Sequence, residues 1–215
     1  MCYTKEISLN TFIIGISSSL ILILFGNKNY QKQNLGIGIL FFIVSFMQLF
    51  DYMIWDDLEC KKNYNKLAGK LGPLFNAIQP LILYIFILFI KQTKEPYRLD
   101  NIILTIINFL YLAYVLYIYK VHIDKNICSK VEKGRIRWSW YNSWENLYFP
   151  TIYLIVLSIN VMYIIKNKYI LIATLLSALF LIISKINYKY HIGEFWCYFV
   201  NSIPLIILVL QKLNI

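Results

Sequence analysis

Histidine is nearly absent from this 215-residue chain: His122 and His191 are the only two. Two histidines cannot build the three-histidine zinc centre of ceramidase- and adiponectin-receptor-type membrane hydrolases, and no metal-ligand spacing joins them to other donors. No HExxH, GxSxG or Walker loop occurs. The last apolar stretch carries no central lysine, which excludes a retinal Schiff base. Charge is scarce too, at 15% Asp, Glu, Lys and Arg against roughly 25% in a soluble domain. Nothing with the look of a nucleic-acid-binding fold surrounds the basic residues, so the net charge of +10 points to anionic headgroups of a bilayer and not to nucleic acid. No metal or other cofactor is expected.

What fills the chain instead is apolar sequence, 59% of all residues, in blocks of about 18–24 that match the thickness of a bilayer. No amphipathic stripe runs through them. The pattern predicts an all-α, polytopic membrane protein: one domain over 1–215, a bundle of seven transmembrane helices at about 8–26, 35–55, 71–90, 100–119, 147–165, 169–185 and 194–211. The first stretch has no small-residue cleavage site after it and reads as a membrane-inserting helix.

An odd number of spans puts the termini on opposite sides. The N-terminal side receives 13 Lys and Arg against 8 on the other, which by count alone makes it cytoplasmic. Against that count, Lys28 and Lys32 follow the first helix where only Lys5 precedes it. The same side holds nine of eleven acids, and Cys2, Cys60, Cys128 and Cys197 all lie on or near it. The reading leans to an outside or lumenal N-terminus, where Cys60 and Cys128 could join two links as a disulfide.

Polar residues sit in the membrane halves nearest that side, at spacings of three or four that share a helix face. The second span brings Gln48, Asp51 and Trp55; the third Asn76 and Gln79; the fifth Glu145 and Tyr148; the seventh Glu194, Trp196 and Asn201. An acid in hydrocarbon costs several kcal/mol and tends to face a bundle interior or water. The expectation is an acidic pocket descending from Glu194 at the mouth through Asp51 to Gln79 and Asn201 at the floor. Asn and Gln as interhelical glue is the competing account. Pro80, Pro150 and Pro204 are expected inside spans, each freeing a carbonyl. The long link at about 120–146 turns from basic to aromatic; Arg135, Arg137, Trp138 and Trp140 suit contact with the membrane surface.

The motifs QLFDYMIW, CKKNYN, NAIQP and EFWC together resemble those of uncharacterised seven-helix membrane proteins of large DNA viruses. The resemblance covers the second, third and seventh spans. It implies a viral membrane protein and no established activity. Its members would often carry Glu where Asp51 stands, a carboxylate with longer reach.

Three functional readings follow. The leading one is a pocket that binds or conducts a small polar or cationic species, in the manner of a receptor, channel or transporter. The alternative is a structural or partner-binding membrane protein of a viral envelope. The third is a lipid-modifying enzyme using Asp51 and Glu194 as an acid–base pair, which no nucleophile or metal accompanies.

Overall fold

A computed structural model describes residues 4–90, 99–123, 128–132, 134–140, 148–164, 168–187, 196 and 198–214. Glu145 and Glu194 lie outside the described residues.

Helix α1 (Lys5–Phe25) starts where the Thr4 hydroxyl accepts the Ile7 N–H, and closes where the Gly26 N–H returns to Leu22 O. Asn27 caps a single 3₁₀ turn at Lys28–Tyr30, which leads directly into α2 (Gln31–Asp56). Helix α3 (Tyr64–Ala77) is followed, across Ile78, by α4 (Gln79–Ile90), bent from it by 41°. Then come α5 (Leu99–Ile123), a hairpin of β1 (Lys130–Glu132) and β2 (Arg135–Arg137), α6 (Phe149–Ile164), α7 (Lys168–Asn187) and α8 (Ile203–Lys212).

The described chain is thus mostly helical. Three of its helices are long and apolar enough to cross a membrane: 5–25, 28–56 and 101–123; the bent α3–α4 pair would make a fourth. The stretches Phe149–Tyr163, Lys168–Ser184 and Tyr198–Lys212 are apolar but shorter.

Helix α2 is the central one. Over half of its apolar window is buried (56%) against 28% for α5, whose outer face shows Ile106, Phe109, Leu110 and Leu116. Its contact with α1 is close because glycine permits it. A Cβ on Gly15 would stand 2.2 Å from Ser45 Oγ and 2.9 Å from Asn201 Oδ1, so α1, α2 and the last helical stretch meet at one point.

The three prolines are not inside uninterrupted helices, as the sequence reading expects. Each is the second residue of one: Pro80 in α4, Pro150 in α6, Pro204 in α8. A first-turn proline loses no intrahelical bond, so the helix restarts at each proline, and at Pro80 the axis turns by the 41° that separates α4 from α3. Among the described residues, Pro73 alone is interior, in α3. The hairpin is also unexpected. It is antiparallel, with Val131 opposite Ile136 and Glu132 opposite Arg135, and Gly134 supplies a positive φ of 74° at its turn.

Candidate functional site

On α2, Ser45, Gln48 and Asp51 follow at intervals of three and are all buried, with at most 1% of surface exposed. Gln48 Nε2 lies 3.5 Å from Asp51 Oδ2, a long contact. One turn below, the Ser45 hydroxyl stands 2.9 Å from Asn201 Oδ1 and 2.7 Å from Phe41 O, so its single proton serves one acceptor at a time. Asn201 sits at the turn before α8, and its backbone carbonyl accepts from Ser18 Oγ of α1 at 3.3 Å. Among the described residues, Asn201 Nδ2 and the nearby-helix hydroxyl of Ser19 are buried without a hydrogen-bond partner.

A second cluster surrounds the α3–α4 break. Tyr153 of α6 donates to Gln79 Oε1 at 2.6 Å, and Gln79 Nε2 lies 3.5 Å from Asn76 Oδ1. Carbonyls at the break find donors from neighbouring helices: Tyr111 OH to Ala77 O at 2.9 Å, Asn160 Nδ2 to Pro80 O at 2.8 Å. Asn160 and Asn108 also exchange amide hydrogen bonds in both directions, each 2.9 Å. This is what an interrupted helix needs where water is excluded.

The relative depth of the two clusters follows from ring contacts. Phe46 and Phe50 of α2 both meet Phe75 of α3, with centroids 5.2 Å apart, and Gly36 lies against the Phe86 ring. The helices run antiparallel, and this register sets Gln79 about level with Ile43 and Val44. Gln79 is therefore about 12 Å deeper than Asp51 along α2. Asp51, Gln48, Ser45 with Asn201, and Gln79 form a descending polar series.

Above the series lies a folded cap. The Asp57 carboxylate accepts the Lys62 N–H at 3.0 Å and the Asn65 N–H at 3.3 Å. Burial pushes its pKa up, but backbone N–H donors, from Lys62 and Asn65 foremost, outweigh that and hold it below the ordinary carboxylate range. The Asn65 side chain bridges onward, donating to Asp57 O and Ser129 O and accepting Ser129 N–H at 2.9 Å. Cys60 and Cys128 are joined as a disulfide, Cα atoms 6.3 Å apart. Asp56 binds Lys5 of α1 and Lys62. His122 Nε2 donates to Gly69 O at 3.1 Å.

Of the sequence-selected residues, Gln48, Asp51, Gln79 and Asn201 are buried in the interior, and Asn76 adjoins Gln79. Trp55 is partly buried at the edge of the core. Three placements differ. Tyr148 is 73% exposed, in a left-handed conformation (φ 56°) that turns it away as α6 begins. Trp196 is tied to α7, donating to the Ser177 carbonyl and hydroxyl. Trp138 and Trp140 are not surface contacts: both are buried, in edge-to-face contact, with Trp138 filling the space over Gly72. The hairpin folds them inward onto the bundle. Arg137 is exposed but bound to Glu132 at 2.7 Å. Arg135 pairs through its backbone with Glu132.

The sequence reading passes over Ser18, Ser45, Asn108, Tyr111, Tyr153 and Asn160. Single polar residues in otherwise apolar stretches were the available signal. The chain matches no family model, no curated protein and no solved structure.

Proposed function

We propose that this is a seven-pass membrane protein whose polar interior, beneath the disulfide-closed cap, binds or conducts a small polar or cationic species. The observation that carries the reading is the burial of Asp51 in the central helix, at the head of a polar series contributed by three segments, with Tyr153 of a fourth bound to its lowest member. An intramembrane carboxylate is costly, and its usual use is an ion or substrate path. In this reading the shorter apolar stretches of α6, α7 and 198–212 are the remaining crossings. The cap faces an oxidising compartment, which the Cys60–Cys128 bond supports, so the N-terminus is extracellular or lumenal. The motif resemblance suggests a viral membrane as the setting.

The test is conductance and uptake in proteoliposomes, with sodium, potassium and tetramethylammonium as probes. Asp51→Asn should lower flux or binding at least about tenfold, equivalent to roughly 1.4 kcal/mol, while leaving the melting temperature in detergent nearly unchanged. Equal flux through wild type and Asp51→Asn, for every probe, would sink the proposal.

One observation favours a second reading, a scaffold that binds a protein partner in the membrane. The reciprocal Asn108–Asn160 pair spends both amide N–H donors of each side chain on the pair itself and on backbone carbonyls, as interhelical glue would. Conductance-silent protein that co-purifies with one stoichiometric membrane partner would support it.

A further inference from the structure

The cap end carries more cations than its ion pairs use. Lys5 and Lys62 are taken by Asp56, Lys61 by Glu59 and Arg137 by Glu132. Lys66, Lys70 and Lys120 are exposed and have no ion-pair partner among the described residues. They are also at one level. The His122–Gly69 hydrogen bond fixes α5 against α3. Lys70 is one residue from Gly69, Lys66 three, and Lys120 two from His122, so all three lie within about 5 Å of that level along the helix axes.

That level is a boundary. On the bundle side of it, Leu116 and Tyr117 of α5 are 57% and 60% exposed. On the cap side come the Asp57 turn, the disulfide and the hairpin. The first two turns of α3 are themselves two-faced: Asn65, Ala68, Gly69 and Gly72 are buried, while Tyr64, Lys66, Leu67 and Lys70 are exposed. Lysines four apart on a helix share a face, and their long stems can lie along apolar surface while the ammonium reaches phosphate.

We infer that Lys66, Lys70 and Lys120 form a cationic collar that binds anionic phospholipid from the leaflet beneath the cap. Apolar side chains next to the lysines favour a lipid over a soluble polyanion, because they give the acyl chains a surface. The site displaces the expected membrane-surface contact from the link tryptophans, which are buried, to the entrance of α3 and the last turn of α5. The inference rests on membrane insertion and not on the polar interior, so it stands or falls independently of the Asp51 test.

The experiment uses the full chain in phosphatidylcholine nanodiscs doped with phosphatidylglycerol, with retained lipid read by native mass spectrometry. Wild type should retain phosphatidylglycerol preferentially. Each Lys→Gln change should weaken that preference about fivefold, and K66Q/K70Q/K120Q on the order of a hundredfold. The triple arginine variant should keep it, as should K28Q/K32Q at the opposite end. Because all the altered side chains are exposed, the variants should fold; a melting curve checks that, and the single K70Q variant gives the same readout if the triple does not. Unchanged preference in K66Q/K70Q/K120Q, or in K70Q alone, overturns the collar. Complete displacement of the lipid by inorganic phosphate overturns the lipid as its ligand.

Discussion

The two ends of the bundle are closed by different means. At the cap end a disulfide, a lysine–aspartate–lysine cluster, a buried aspartate turn and a hairpin tie α1, α2, α3 and α5 together. At the opposite end α1 joins α2 through a single 3₁₀ turn, and amides tie neighbouring segments: Gln211 donates to Asn34 Oδ1 at 2.6 Å and accepts the Asn27 N–H at 2.9 Å, while Gln33 accepts the Tyr169 N–H at 3.2 Å. Tyr30 and Tyr169 meet edge to face, centroids 4.6 Å apart. The difference teaches where the chain needs help. A one-turn connection between α1 and α2 has little freedom to lose, whereas the 57–65 segment is held to residues 128 and 129, far along the chain, and longer loops cost more to close. The heavily secured end is also the end over the buried carboxylate.

The strongest way to break the contrast is to remove the covalent cross-link of the cap. Cys60 and Cys128 are 68 residues apart, and a loop of that size implies about 4 kcal/mol of closure entropy. The helices already restrain the segment, so 2–4 kcal/mol is the expected loss in Cys60→Ser or under reductant. Hydrogen exchange should rise through the hairpin and the 57–63 turn, and stay unchanged at residues 26–34. Exchange that rises equally at both ends would show that the cap is not a separate unit of stability.

Asp57 sharpens the comparison next, through pH. Its folded-state pKa is lowered, so its contribution is present above the ordinary carboxylate range and is lost as pH falls through the folded value. Cap exchange should therefore be flat near neutrality and climb only in acid, with the amide-linked end following no such curve. Asp57→Asn should remove most of the acid dependence. A cap equally protected at neutral and acid pH would contradict the role given to this carboxylate.

How much of this is legible without coordinates depends on whether the signal is local. Asp51 and Gln48 share a face by their spacing alone, and burial follows from the cost of exposing an acid to lipid. Cys60 with Cys128 is readable as a pair because both fall in links on one side. The hairpin was available in KVEKGRIR, where Val131 and Ile136 alternate with charges around Gly134, yet the charge density there draws the eye to headgroups instead. Trp138 and Trp140 follow the hairpin, so their burial could not be seen once it was missed. The partners of Asn108, Asn160 and Tyr153 depend on the depth register of three helices, which no local pattern encodes.

In the middle of the bundle, between the two ends, Tyr153→Phe removes the donor to Gln79 Oε1 and leaves that buried acceptor short of one hydrogen bond. A loss of about 1–2 kcal/mol is expected, read as a lower melting temperature without any change in exchange at the cap. Tyr153→Phe with Gln79→Leu should cost less than the sum of the two, because the second change removes the group that the first leaves unpaired.

The smallest effect belongs to the amide end and asks whether amides alone hold it. Gln211→Leu removes the donor to Asn34 Oδ1 and the acceptor of the Asn27 N–H. Asn34 keeps its own bond to Asn27 O, 3.1 Å, so the site is weakened and not opened. Roughly 1 kcal/mol is expected, since a net intramolecular hydrogen bond is worth about that and polar pairs in membranes average about 0.6. In a double-mutant cycle, Asn34→Leu should cost less once Gln211 is already leucine than it does alone, because the Gln211 amide that it would leave without an acceptor is gone, while the loss at Asn27 is the same on either background. The exchange rates of the cap should not move in any member of the cycle. Should Gln211→Leu instead loosen the cap, the two ends would be one cooperative unit, and the disulfide would be guarding the whole bundle rather than its own end.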